Sequence, residues 1–298
     1  MKGLILINAF LASEEYLRQA ERMKEELEKK DVDVKIERNN GFAFLIDGNE
    51  ICKKCGDYDF IVFWDKDKYI LNILNKTGAN LFNSYQSITD CDDKMTTYIA
   101  LANNGVPLVK TIPGLLCYDE NEKIPLKAVE KIESELDYPI IVKNSYGSLG
   151  KGVFMVKDRV ELLKTMEKVK CTPHLFQECV KSSWGKDLRI IVVGDKVVGG
   201  MLRKSNGDFR SNIGVGGNGE PYELTDDLKE LALKIKDVLK LDYCGIDILF
   251  GEDTPLVCEV NSNAFFYAFE RVTKINVAKI YAEYIIEKTL ARKNAVKL

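Results

Sequence analysis

The stretch Tyr243-Cys-Gly-Ile-Asp247-Ile-Leu-Phe250, continued after a short turn by Leu256-Val-Cys-Glu259-Val-Asn261, decides the fold. Two apolar runs flank Gly251–Pro255, so they read as an antiparallel hairpin. Pairing Phe250 with Leu256 across the turn sets Asp247 opposite Glu259. Glu259 and Asn261 stand two apart on one strand and share a face. Three oxygen-bearing side chains thus converge, while Ile246, Ile248, Val257, Cys258 and Val260 take the other face or flank it. Two carboxylates that close are unfavourable unless a cation sits between them. Hard oxygen ligands without His or Cys suit Mg²⁺, completed by water and phosphate oxygens. The competing reading is a solvated hairpin face that carries two acids.

Upstream lies Lys143-Asn-Ser-Tyr-Gly147-Ser-Leu-Gly150-Lys151-Gly152. A lysine ends an apolar strand, and three glycines fill a tight turn into the next. Glycines let backbone N–H groups approach an anion, and lysine adds a point charge. It is not a Walker A loop, because no Gly-Lys-Ser/Thr occurs and no helix follows directly. Between these segments, Arg203, Lys204, Asp208, Phe209, Arg210, Ser211 and Asn212 precede Gly214, Gly216, Gly217 and Gly219. Basic residues beside a Gly-rich loop suit a flap over an anionic substrate. Either segment alone also reads as an ordinary turn or surface loop. Together with the acidic hairpin they point to nucleoside triphosphate chemistry.

Composition narrows the alternatives. The chain has 298 residues, 46% of them hydrophobic and 30% charged, which suffices for a packed core in two domains or one large divided one. Forty-three Lys and Arg against 46 Asp and Glu give no support for a nucleic-acid or anionic-membrane surface. No apolar run approaches the roughly 18 residues of a membrane helix. The single histidine, His174, argues against Ser-His-Asp and Cys-His catalysis and against His-rich zinc sites. Eight scattered cysteines read as reduced thiols of a cytoplasmic protein. Cys52 and Cys55 form a lone CxxC, read as a surface loop or frayed helix turn and not as a metal site. Lys2 and the run Leu4–Ala12 mimic a short signal peptide, but Asn8 interrupts the run and Glu14 and Glu15 follow. A first core strand entering a helix is the better reading.

The pattern along the chain is α/β (α+β). Residues 1–83 alternate strand and helix as a small open α/β sheet, with Leu4–Ile7, Val32–Ile36, Phe60–Phe63 and Asn80–Phe82 as strands and Ser13 capping the first helix. That unit lacks GxGxxG after its first strand, which disfavours a dinucleotide site there. A polar stretch, 83–93, leads to a helix at about 92–103. Residues 84–172 form a central unit that holds the Gly-rich turn, and 173–298 a third unit with long antiparallel strands and a helix at about 274–291. Gly194-Asp195 is a two-residue hairpin turn between Arg189–Val193 and Lys196–Leu202.

The ordered series Asp93-Lys94, Pro139-Ile-Ile-Val-Lys143 with Gly147-x-x-Gly150-x-Gly152-Val153, Gln177-Glu178-Cys179-Val180, Asp187-x-Arg189, Gly207-Asp-Phe-Arg-Ser-Asn212, Gly245-Ile-Asp247 and Cys258-Glu259-Val-Asn261 resembles the ATP-grasp ligases. Within them it is most similar to the RimK-like carboxylate–amine ligases, such as the ribosomal-protein glutamate ligase. The resemblance runs from about residue 83 to the end. The first unit resembles the family's pre-ATP-grasp domain more loosely.

That resemblance implies an amide-forming ligase that uses ATP and two Mg²⁺ ions, Mn²⁺ being a substitute ion, and passes through an acyl phosphate. It implies an amino-acid or peptide carboxylate and an amine acceptor as partners, in a dimer or tetramer. Lys94 and Lys143 would hold phosphates under the Gly147, Ser148, Gly150 and Gly152 turn. Glu178, Cys179 and Val180 would lie at the adenine, and Asp187 at the ribose. Arg203 and Arg210, with Ser211 and Asn212, would face the transferred phosphoryl group, and Asp247, Glu259 and Asn261 would carry the metals. A peptide-tailoring ligase and a nucleotide-binding regulatory protein without turnover are the alternatives. One departure stands out: the family continues from its metal-binding Asn to Pro-Gly, whereas here Asn261 leads to Ser262-Asn263-Ala264-Phe265-Phe266-Tyr267. That aromatic bulk is expected either to shape a substrate pocket or to pack in the core.

Overall fold

Leu4–Ile7 is fully enclosed, as its unbroken apolar run requires of a central parallel strand. The computed structural model describes residues 1–10, 14–39, 44–53, 56–147, 150–205, 207–209 and 218–296. In chain order the first elements are β1 (Lys2–Ile7), α1 (Glu14–Glu28), β2 (Asp33–Arg38), β3 (Phe44–Asp47), β4 (Glu50–Lys53), β5 (Phe60–Trp64), α2 (Lys68–Lys76) and β6 (Leu81–Phe82). Next come α3 (Tyr85–Asp92), α4 (Lys94–Leu101), β7 (Thr111–Pro113), α5 (Leu126–Glu135), β8 (Ile140–Asn144), β9 (Val153–Val156), α6 (Arg159–Val169) and β10 (His174–Glu178). The last are β11 (Lys186–Val193), β12 (Lys196–Lys204), β13 (Asn218–Tyr222), α7 (Asp226–Val238), β14 (Tyr243–Phe250), β15 (Pro255–Asn261), α8 (Tyr267–Thr273) and α9 (Val277–Val296).

Among the described residues there are four sheets, the smallest being the β3-β4 hairpin, and the other three organise the chain. The first is parallel, in the order β2-β1-β5-β6. The second, β7-β10-β8-β9, and the third, β13-β12-β11-β14-β15, are antiparallel. Leu4, Leu6, Ile61 and Phe63 bury one face of the first sheet against Leu71, Leu74 and Ile88. Its other face, with Ile5, Ile7 and Val62, shares a core with α1, α8, α9 and with Ile191, Val193 and Tyr243 of the third sheet. The opposite face of the third sheet packs on α7 and on Leu101 of α4. The second sheet has a separate core with α5 and α6 around Val142 and Phe176. The buried Asn83 amide joins the first unit to the third, because its Nδ2 donates to Tyr243 O and Ser262 O at 2.8 Å each.

Several expectations change here. The expected fourth strand shrinks to Leu81–Phe82, and the polar stretch after Asn83 is largely helical, because Ser84 accepts from Ser87 N–H and caps α3. Cys52 lies in β4, the second strand of a hairpin with β3, and not in a loop or helix turn; Cys55 and Ser13 lie outside the described residues. The expected C-terminal helix starts later, at Val277, after the separate α8, which ends at a left-handed Lys274. β10 hydrogen-bonds to β8 and β7, so the second sheet runs through Glu178, past the expected division at 172/173. α3 and α4 lean on the third sheet, where Tyr98 OH donates to Val257 O at 2.7 Å. In the last hairpin Asp247 does face Glu259, but the tip pairs Phe250 with Pro255 and not with Leu256. The register shifts between Asp247 and Ile248, and this bulge restores the pairing at the carboxylates.

Candidate active site

One rung of the third sheet carries the central charges. Arg189 on β11 pairs with Asp247 on β14, and Asp247 pairs with Glu259 on β15. On the neighbouring rung Asp187 faces Arg203 across β11 and β12. The alternation of strand side chains puts Asp187 and Arg189 on the same face. Arg203 donates to both oxygens of Asp187 at 2.6 Å and reaches Asp247 at 3.0 Å. Arg189 grips the same Asp247 through Nε and, at 2.8 Å, through Nη2. All four side chains are buried. Burial pushes the Asp247 carboxyl up, but Arg189 and Arg203 outweigh it and hold the group below its ordinary range. Burial likewise opposes the charge on Arg203, and Asp247 and Asp187 hold it above its ordinary value.

An open cleft lies between this face and the second sheet. Lys143, at the end of β8, and Lys94, the first residue of α4, enter it from separate elements. Asp93 caps α4 by accepting from Met95 and Thr96 N–H, which fixes where Lys94 starts. Lys94 Nζ donates to Gly147 O at 2.9 Å and stands 3.6 Å from Glu259 Oε1. Lys143 Nζ lies 3.5 Å from Cys258 Sγ. The β8–β9 turn needs its glycines: Gly147, Gly150 and Gly152 all have positive φ, and a Cβ on Gly152 would come within 2.6 Å of Asn144. Gly147 and Gly150 line the cleft, and Ser148 lies outside the described residues.

Glu178, Cys179 and Val180 line the far end, where the chain leaves β10. Glu178 Oε1 accepts from Lys110 N–H at 3.2 Å. Burial raises the Cys179 thiol pKa. Gly185 N–H donates to Phe209 O, and the Trp184 and Phe209 rings stand 6.1 Å apart at the cleft edge.

Of the expected residues, Lys94, Lys143, Asp187, Asp247 and Glu259 therefore come together around one cleft. Arg203 sits behind it, turned toward two aspartates and away from the open space. Asn261 pairs with Gly245 in the ladder and is not part of the cleft wall. Arg210, Ser211 and Asn212 lie outside the described residues. Sequence reading assigned no role to Arg189; its signal was the Asp187-x-Arg189 spacing on a strand beside the acidic hairpin.

The donor set bears on a metal. Among the described residues no three His, Cys, Asp or Glu side chains gather into a metal cluster. Glu259, with 29% of its side chain exposed, stays open to a hard cation beside Lys94, whereas Asp247 already has arginine partners on both oxygens. Glu259 suits Mg²⁺ where phosphate oxygens complete the sphere, whereas Asp247 has only its remaining lone pairs to add and Asn261 stands outside the cleft wall.

Comparison with known proteins places the chain in a family. The RimK-like ATP-grasp domain family matches residues 91–285. Human N-acetylaspartylglutamate synthase A is 39% identical over 223 residues, which cover 74% of this chain and 56% of that protein. The chain thus spans just over half the length of this curated relative. D-alanine–D-alanine ligase from Bacillus anthracis, solved with ATP, superposes with a TM-score of 0.74 at 17% identity, covering 99% of both chains. The ATP-grasp ligase PsnB, solved with a minimal precursor, Mg and ADP, gives 0.68 at 16% identity over 96% of this chain and 98% of that one. The eight ordered motifs, the cleft they build and the family match over most of the chain lead to one conclusion: this chain belongs to the RimK-like ATP-grasp family.

Proposed function

We propose that this chain is an ATP- and Mg²⁺-dependent carboxylate–amine ligase that forms an amide bond through an acyl phosphate. The carrying observation is the convergence of Lys94, Lys143 and Glu259 on one cleft from three separate elements. The triphosphate would lie between the two lysines and under the β8–β9 turn, each charge-assisted contact contributing roughly 1.5–3 kcal/mol. Glu178, Cys179 and Val180 would flank the adenine. Asp187 would keep Arg203 and offer its remaining lone pairs to the ribose. Glu259 would hold Mg²⁺, with Asp247 lending a remaining lone pair and Asn261 turning in from β15, and the ion would supply charge neutralisation to the transferring phosphoryl group.

In this reaction a substrate carboxylate oxygen attacks the γ-phosphorus and ADP leaves. The amine then attacks the acyl carbon, loses a proton, and phosphate departs. Phosphoryl transfer needs neutralised charge more than a strong base, which suits a site rich in Lys and Arg and poor in His. Arg203 and Arg189 act by holding Asp247 in place. The segment beyond Phe209, with Arg210, Ser211 and Asn212, would keep water from the acyl phosphate.

The synthase relative supports an amino-acid or peptide carboxylate and an amine as substrates, with glutamate the first to try. We take the chain as three units, 1–83, 84–172 extended through β10, and the remainder, in a cytoplasmic homo-oligomer. Among the described residues no helix is long and apolar enough to cross a membrane. The test is an ADP-release screen over paired amino acids and peptides, with mass spectrometry of the product. An amide product supports the reading. ATP binding without turnover across the whole panel overturns it in favour of a regulatory nucleotide-binding protein.

A further inference from the structure

The first sheet carries a second polar centre, outside the triphosphate cleft. Its order, β2-β1-β5-β6, reverses direction at β1, and such a reversal leaves a crevice beyond the carboxyl ends of the strands. Asn8 follows β1 directly, Asn39 follows β2, and Asp65 follows β5. Asp65 is only 5% exposed. Its Oδ1 accepts from Asn8 Nδ2 at 2.9 Å and Lys66 N–H at 2.6 Å, and its Oδ2 from Asn39 Nδ2 at 2.9 Å. Among the described residues no lysine or arginine forms an ion pair with it. Its oxygens are thus met by neutral amide donors and not by an ion pair.

Other polar groups lie around it. Asn39 Oδ1 is buried and accepts no hydrogen bond. Asp67 adds another carboxylate beside it, 3.4 Å from Asn39 Nδ2. Tyr16 has its pKa pushed up to about 12, by burial and then by the charge of Asp65, so it stays a neutral phenol. The Arg38 guanidinium stands at the rim, donating to Asn8 O at 3.4 Å and Ala9 O at 3.2 Å; Asp65 itself has no ion-pair partner among the described residues. Asn8 and Asn39 are both partly exposed, which leaves a path to solvent.

Two short links join this centre to the cleft. Asn263 Nδ2 donates to Asp65 O at 3.1 Å, two residues beyond Asn261. Lys66 Nζ pairs with Asp92 at 2.8 Å, next to the Asp93 cap that sets Lys94. The aromatic departure divides here. Phe266 is fully buried against Trp64 and Tyr243 and is core. Phe265 stays half-buried and meets the Tyr16 ring edge-on at 4.1 Å.

Resting on the ligase reading above, we propose that Asp65 and Asn39 bind the ammonium group of the amine substrate, with Tyr16 and Phe265 as the apolar wall beside it. Asp65 supplies the counter-charge and Asn39 Oδ1 the directional acceptor.

The test uses the full chain with Mg-ATP and the twenty common L-amino acids, each beside its N-acetyl derivative. Calorimetric titration reads binding, and ADP release reads turnover. For the amino acid bound most tightly, Asp65→Asn is expected to raise Kd and KM at least about tenfold and Asn39→Leu several-fold, with KM for ATP and Tm unchanged. N-acetylation should weaken binding to the wild type by a similar factor and leave Asp65→Asn nearly indifferent. An unchanged amino-acid Kd in both variants overturns the assignment, and so does the absence of binding by every amino acid. A parallel rise in KM for ATP also overturns it, because Asp65 would then support the clamp and not the amine. Failure of the wild type to release ADP with any amine would sink the ligase reading instead, and the titration would still decide Asp65.

Discussion

Arg203 donates to both carboxylate oxygens of Asp187 at 2.6 Å, and the same guanidinium reaches Asp247 at 3.0 Å. One planar fork thus orders two acids from different strands, a task that a lysine ammonium performs poorly. Arg203→Lys should destabilise the fold by about 3 kcal/mol or more, because it leaves buried charge imperfectly paired. Urea denaturation of the purified variant measures this. A loss under about 0.5 kcal/mol would show that the fork contributes little.

Lys143 behaves differently, since its ammonium has a thiol neighbour at 3.5 Å and no carboxylate within salt-bridge reach among the described residues. Lys143→Ala should abolish ADP formation, by about a hundredfold or more, and change stability by less than about 1 kcal/mol. The paired measurement is ADP release and thermal melting. Full activity in this variant, or in Glu259→Ala, would count decisively against the ligase reading.

Asn83 is the joint between the first and third units. Its amide donates to Tyr243 O and Ser262 O and accepts from the Asp242 and Tyr243 N–H groups. Asn83→Ala strands four buried backbone groups, each unmet one costing about 1–3 kcal/mol, so a loss of about 3 kcal/mol or more is expected. Chemical denaturation reads it, and near-wild-type stability would show that water replaces the amide.

His174 gives a pH signature that is simple to isolate, because it is the single histidine. Its ring Nδ1–H donates to Thr172 O at 2.8 Å, and a Cβ on Gly114 would come within 2.4 Å of Nε2. Burial lowers its pKa below the ordinary value of 6.5. The folded state then binds fewer protons than the unfolded chain between the two pKa values. This contribution is fully present above pH 6.5 and is lost as pH falls below it. His174→Gln should flatten the fall in Tm between about pH 6.5 and 5. An identical slope in the two proteins would remove His174 from the acid response.

Local pattern carried much of this structure. An unbroken apolar run marked β1, and Gly194-Asp195 marked the β11–β12 turn, because strand burial and turn geometry are set within a few residues. The facing pair Asp247 and Glu259 was also legible, although a bulge near Cys258 made the tip register wrong while leaving that pair right. The short hairpin β3–β4 and the helix α3 were missed, since neither has a clear apolar period.

The amino-acid sequence by itself determined which groups are present: the two lysines, the glycine turn, the acidic hairpin and the near-absence of histidine. Tertiary structure alone decided how they are paired. It gave β10 to the second sheet, turned Arg203 from the cleft onto Asp187 and Asp247, and set Asp65 among amides with no ion-pair partner among the described residues. The physical reason is that a buried charge is governed by whichever groups are packed within a few ångströms of it. Those neighbours come from strands far apart in the chain, so no window of sequence contains them.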